Sequence, residues 1–440
     1  MQFSFLFTLV TNFIGGFLKM KKRIVSTLLC TAMAASLFAG CGSTAAKSGS
    51  SSSSGASSSA SSAAEEESTS SASSEASTES ADTQSSSAKP AAGGGQTIGI
   101  SMPTKSLERW NRDGSYLQDQ FEKAGYKVEL TYSDNKSAQQ NNDIEGLIAD
   151  KVDLLVVAAI DGEALSQVLN EAKDAGIPVI AYDRLIMNTD AISYYVSFDN
   201  YTVGKLQGEF VAKQLDLDNA GDKTYNIEFT AGDPADNNAT FFFNGAMDVL
   251  KPYIDKGTLK VPSGQTDFDQ VATAQWDTST AMKRFQNILG SYYSDGTQLD
   301  AAVCSNDSTA LGVTQAIESD YAGDNNVIIT GQDGDEANLA NIVDGKQTMT
   351  VYKAVANEAV VTLDLAVAML NGEKPDDSLI SKSGWDFDCS YDTSSYDNGT
   401  GVIPSYLLVP TVVTKDNMDK ELVDPGYYTK DDKGYLHPVG

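Results

Sequence analysis

The chain has 440 residues, a formal net charge of −29, four cysteines and one histidine, His437. Such acidity excludes a nucleic-acid binder, which needs a basic face for phosphates, and argues against a polybasic membrane patch. One terminal His and no cysteine cluster leave little for a zinc site or a Ser-His-Asp triad, and no metal or cofactor is expected.

The first element is an address. An apolar stretch runs from Met1 to Leu18, and a second start at Met20 is followed by Lys21, Lys22 and Arg23. The apolar run Ile24 to Phe38 ends in Phe38-Ala39-Gly40-Cys41. Basic residues, a short apolar run and small residues before a cleavage point form a secretory signal, so residues 1–40 are read as a signal peptide, over-extended before Met20. The run is short for a transmembrane helix. The Cys after Ala-Gly resembles the bacterial lipobox, with Phe38 in place of the commoner Leu. That resemblance implies diacylglycerol on Cys41 and anchoring at the outer face of the cytoplasmic membrane. Residues 41–96 follow as a lipidated Cys and a Ser/Ala/Gly-rich tether with too few apolar side chains to offset the entropy of ordering. Loss of Lys19, Lys21, Lys22 and Arg23 takes the net charge from −29 to about −33.

From Thr97 the pattern alternates. Strands are read at Thr97–Met102, Lys127–Tyr132, Val152–Ile160, Ile177–Tyr182 and Ser193–Phe198. Helices are read at Gly114–Ala124, Asn141–Asp150 and Ala164–Ala175. After Asp199-Asn200 the alternation restarts. Helices follow at Tyr201–Leu215, Thr240–Leu250, Thr278–Leu289 and Ser308–Ser319, with strands at Tyr225–Thr230, Thr258–Val261, Ala301–Ser305 and Val327–Thr330. Two successive βα units in about 340 residues imply an α/β protein of two Rossmann-like, doubly wound lobes. Ligands of such sheets bind beyond the C-terminal strand ends, here between the lobes. The acidic turn Asp216 to Asp222 has part of a calcium-loop spacing, but Ala220 and Ile227 stand where ligands belong, and it is read as a solvated turn.

Eight short segments in order, across nearly all of the folded chain, resemble one family. They are Ser106-Leu107-Glu108-Arg109-Trp110, Ala181-Tyr182-Asp183-Arg184-Leu185-Ile186, Ser197-Phe198-Asp199-Asn200, Asp236-Asn237-Asn238-Ala239-Thr240, Ser305-Asn306-Asp307, Gly331-Gln332-Asp333, Thr348 to Lys353 and Pro404 to Leu408. Together they resemble the type I periplasmic sugar-binding proteins, nearest to the xylose-binding and multiple-aldose-binding branches. The resemblance implies a three-segment hinge, with one lobe of 97–199 plus 354–402 and the other of 200–353 plus 403–440. It implies ligand contacts at Arg109, Asp183, Arg184, Asn238, Trp276, Asn306, Asp333 and Lys353, with Trp110 as a second aromatic face. The loop 385–400, with Trp385 and Cys389, resembles the broader-specificity branch. The partners implied are a monosaccharide, such as xylose, glucose, galactose or arabinose, and the permease and ATPase of an ABC importer. A monomer is expected.

The residue types suit that ligand independently. A pyranose offers apolar C–H faces to Trp110 and Trp276 and a rim of hydroxyls to Asp183, Asp333, Arg109, Arg184, Lys353, Asn238 and Asn306. These charges sum to +1, fitting a neutral ligand. Several of the polar residues also stand where helix caps are found. Three other functions are weighed. A sensor would present the closed form to a membrane receptor or kinase. A glycoside hydrolase would use Asp183 and Asp333 as its carboxylates. A repressor would need a basic helix-turn-helix where the signal and tether stand. Cys304 and Cys389 are read as unpaired thiols.

Overall fold

The computed structural model describes residues 94–439. The signal peptide, Cys41 and nearly all of the tether lie outside the described residues.

The first lobe is built on β1 (Thr97–Met102), α1 (Glu108–Lys123), β2 (Lys127–Tyr132), α2 (Ser137–Ala149), β3 (Leu154–Val157), α3 (Ser166–Asp174), β4 (Val179–Tyr182) and β5 (Ile192–Phe198). Strand order 2-1-3-4-5, all parallel, makes a doubly wound sheet with its switch point between β1 and β3. Its strands are apolar on both faces. Leu154, Val156, Ile180 and Tyr182 pack into one core with α1, while Leu155, Val157, Val179 and Ala181 pack into another with α2 and α3.

The chain then enters the second lobe through α4 (Asn200–Gln214), β6 (Tyr225–Thr230), α5 (Asn237–Lys256), β7 (Leu259–Lys260), the single turn α6 (Phe268–Val271), α7 (Thr278–Tyr292), β8 (Ala301–Cys304), α8 (Asp307–Asp320), β9 (Ile328–Ile329), α9 (Glu336–Asp344) and β10 (Met349–Tyr352). Its four-stranded parallel sheet has the order β7-β6-β8-β9. Helices α4 and α5 pack with backbones in near contact. A Cβ on Gly204 would lie 1.8 Å from the Phe242 carbonyl oxygen, so only glycine fits there.

The chain returns through α10 (Val355–Leu370), α11 (Ser378–Ser383), β11 (Cys389–Asp392) and β12 (Ser405–Leu408), then ends in β13 (Thr411–Thr414), β14 (Tyr428–Lys430) and β15 (Leu436–Pro438). Helix α10 packs against α1, and β12 pairs in parallel with β5, with β11 as its antiparallel edge neighbour. The lobe boundary expected at 402/403 is therefore corrected. Ser405–Leu408 is fully buried in the first sheet, and the chain leaves that sheet at Val409-Pro410, after which β13 pairs with β10. The breaks at Gly401 and Pro404 belong to the turn that feeds β12, not to the crossing.

Two helix starts also differ from the sequence reading. Helix α1 begins at Glu108, not Gly114, because Gly114 is an interior glycine kept for packing: a Cβ there would lie 2.1 Å from the Tyr132 hydroxyl oxygen. Helix α5 starts at Asn237 and runs through Pro252 to the left-handed Gly257. The turn at 216–222 holds a short 3-10 segment, Leu217–Asn219, with the Tyr253 hydroxyl donating to Asp218.

Candidate functional site

All nine residues that the sequence singled out converge on one cavity. The first lobe supplies Arg109 and Trp110 from the first turn of α1, and Asp183 and Arg184 from the turn after β4. The second lobe supplies Asn238 from α5, Trp276 from the turn before α7, Asn306 from the cap of α8, Asp333 after β9 and Lys353 after β10. Every polar one sits near a strand's C-terminal end or a helix's first turn. Asp183, Trp276 and Asp333 have φ of 56°, 54° and 105°, backbone that non-glycine residues seldom adopt and that accumulates at functional sites.

Arg109 is the hub. Its Nη2 donates to Asp183 Oδ1 at 2.9 Å and Glu358 Oε2 at 3.0 Å, and its Nη1 to Asp333 Oδ1 at 3.0 Å. Its Nε donates to Asp113 Oδ2 at 2.5 Å. Lys353 Nζ donates to the same Asp183 oxygen. Asp183 and Asp333 come from different lobes, so Arg109 ties the lobes together through the site. Arg184 Nε lies 3.0 Å from Asp236 Oδ2 as an ion pair that is not aligned as a hydrogen bond, and its Nη1 donates to the Ala159 carbonyl at 2.9 Å.

The aromatic residues are held differently. Trp110 carries the Arg184 guanidinium over its ring at 4.8 Å, so one of its faces is already covered by a cation. Trp276 donates from Nε1 to Asp236 Oδ2 at 3.2 Å and lies over Gly232, where a Cβ would come within 1.9 Å of its Cη2. Asn306 caps α8, its Oδ1 accepting from the Thr309 N–H at 3.0 Å while the side chain lines the cavity. The capping and lining roles thus coexist in one residue. Asn238 donates to the Asp183 carbonyl at 2.7 Å. The Tyr195 hydroxyl stands 2.7 Å from that carbonyl and 3.1 Å from Asn238 Oδ1.

The charge count from sequence needs correction. Asp113 and Glu358 are buried against Arg109 and Asp236 against Arg184, so the site holds five carboxylates with Arg109, Arg184 and Lys353. Asp113, four residues after Arg109 on α1, was readable as a helical ion pair. Asp236 stood inside a quoted motif but was not selected, and in the structure it also caps α5. Glu358 lies on α10, remote in sequence, and only folding brings it in. Burial, then the neighbouring Asp183, pushes Glu358 well above the usual carboxylate range. Burial also raises Asp333, with Arg109 opposing. Asp183 goes the other way: burial alone would raise it, but Arg109 and then Lys353 outweigh burial and hold it well below that range. The cavity also includes Leu107, Phe242, Ser308 and Gln332, which the sequence reading did not select.

Two doubly wound lobes closing on a polar, aromatic-lined cavity define a two-lobed α/β binding protein. Residues 98–374 match the family described as periplasmic binding protein domain, and the chain belongs to the type I periplasmic sugar-binding proteins of that family. The multiple sugar-binding periplasmic receptor ChvE of Rhizobium radiobacter is 42% identical over 76% of this chain and 91% of its own length. The D-xylose-binding periplasmic protein of Escherichia coli is 36% identical over 75% of this chain and 90% of its own. Among solved structures, an ABC transporter solute binding protein from Clostridium phytofermentans with bound β-D-glucose is 49% identical. It superposes with a TM-score of 0.72, covering 77% of this chain and 99% of that one.

Proposed function

We propose that the protein is an extracytoplasmic lipoprotein that captures one monosaccharide between its lobes and delivers it to the permease and ATPase of an ABC importer. The observation that carries this reading is the convergence of Arg109, Asp183, Asn238, Trp276, Asp333 and Lys353, from both lobes, on one buried cavity. Carboxylates and cations that already bond one another present fixed acceptors and donors to a ring of hydroxyls, and Trp276 presents an apolar face. The named relatives bind several sugars or xylose, and the solved neighbour holds glucose, so the ligand proposed is an aldose. Asp183 and Asp333 serve as hydrogen-bond acceptors, each ion-paired to Arg109, and we assign them no bond-breaking role. Closure requires only that the sugar bind the closed form better than the open one. Cys41 is proposed as the lipid site, with residues 41–96 as tether and a monomer as the working unit.

The test is calorimetric titration of the chain lacking residues 1–40 with xylose, glucose, galactose and arabinose. Saturable binding near micromolar, about −8 kcal/mol, is expected for at least one sugar and its loss in Asp183→Ala. Folded protein that binds none overturns the reading. For the anchor, Cys41→Ser is expected to move the protein from the membrane fraction to the medium.

A further inference from the structure

Two side chains of α1 cross between the lobes beside the cavity without lining it. Both oxygens of Glu108 accept from the Glu336 N–H, at 3.1 and 3.0 Å. Glu336 opens α9, and the preceding Asp335 makes no side-chain cap bond of its own. A helix of the second lobe is thus capped by a carboxylate of the first, placed at the positive end of its dipole. One turn along, Arg112 Nη1 donates to the Gly334 carbonyl at 2.9 Å and to the Tyr428 hydroxyl. Its Nη2 donates to the Asp333 carbonyl at 3.0 Å and to Asp335 Oδ1 at 3.2 Å. The Tyr428 hydroxyl donates to the same Gly334 carbonyl at 2.5 Å. The segment gripped is the one whose Asp333 has φ of 105° and offers its carboxylate to Arg109.

We propose that Glu108 and Arg112 are positioning residues that form a closure latch: they hold the Asp333–Glu336 backbone against α1 when the lobes meet and so set ligand affinity without contacting the ligand. This rests on the sugar-binding reading above. Apparent affinity is intrinsic affinity scaled by the fraction of protein in the competent state. A latch outside the cavity changes that fraction alone, so its loss weakens every ligand by the same factor. A residue that touches the sugar changes the ratio between ligands.

The experiment is calorimetry of Glu108→Ala and Arg112→Lys with any two aldoses that the wild type binds, with Asp333→Asn for contrast and thermal melts with and without sugar. Each latch variant is expected to lose about tenfold to hundredfold in affinity, equally for both sugars. Its sugar-bound melting temperature should fall while the ligand-free one holds. Asp333→Asn should alter the ratio. Unchanged affinity overturns the latch, as does a changed sugar ratio in Glu108→Ala, or an equal fall in both melting temperatures, which marks an ordinary fold-stabilising role. Should Arg112→Lys not fold, Glu108→Ala decides, its carboxylate being one-third exposed at 33%. A wild type that binds no aldose fails the sugar-binding reading and takes the latch with it, an outcome distinct from a binding wild type with unaffected variants.

Discussion

Arg109 and Arg112 lie one helical turn apart on α1, both buried and both reaching the second lobe, yet their surroundings differ in kind. Arg109 meets four carboxylates, two of which line the cavity. Arg112 meets backbone carbonyls, a phenol and one carboxylate of a neighbouring segment, with Glu108 at 3.5 Å. The first set includes two carboxylates, Asp183 and Asp333, that face the cavity and can meet a ligand. The second consists of groups fixed by the fold, and can only report whether the lobes are together. Side-chain partners give a region its chemistry, and backbone partners give it its geometry.

The strongest way to break this comparison is Arg109→Ala. It leaves buried Asp113, Asp183, Asp333 and Glu358 without their shared cation, so a loss of about 3–5 kcal/mol of stability is expected, with sugar binding abolished. Chemical denaturation and calorimetry read both, and a variant that still binds would remove Arg109 from the centre of the site. Next comes Gly232→Ala, which changes no polar group but places a methyl 1.9 Å from the Trp276 ring. Displacing that ring should cost about 2 kcal/mol in affinity, and unchanged affinity would show that the ring is not a stacking face. A smaller effect, about 1 kcal/mol, is expected for Tyr195→Phe, which removes the hydroxyl between the Asp183 carbonyl and Asn238.

The smallest effect is on pH. Asp333 has its folded pKa raised, so its contribution to stability is present below the unfolded value, near 3.9, and fades as pH rises toward the folded one. Asp183, lowered by Arg109 and Lys353 against the pull of burial, contributes above the unfolded value and loses that only as pH falls. Acidification from neutrality therefore protonates Asp333 before Asp183, and affinity should decline on the acid side through that group. Affinity measured across pH in the wild type and in Asp333→Asn checks this: the variant should lack that step.

Much of the cavity was legible from sequence only through the ordered motifs and the family they resemble, since a strand end or helix start taken singly fits helix capping as well as ligand contact. The ordered motifs then gathered Asp183, Asn238, Asn306 and Asp333, each at such a junction. Glu358 was not legible. It sits within an apolar helix, and a lone buried Glu in such a helix has no local explanation until Arg109 is seen beside it. The start of α1 was misplaced for a related reason, since Gly114 looks like punctuation in the chain and is required by Tyr132, eighteen residues on.

By itself the sequence determined the alternation of strand and helix and the two-lobed plan, because periodicity is a local property of the chain, and its ordered motifs carried the resemblance that pointed to the cleft residues. Tertiary structure alone decided that β12 belongs to the first sheet, that five carboxylates surround three cations, and that Glu108 caps a helix of the opposite lobe. Each of these depends on which distant segments meet, and the balance of burial against pairing for a charged group exists only once its partners are in place.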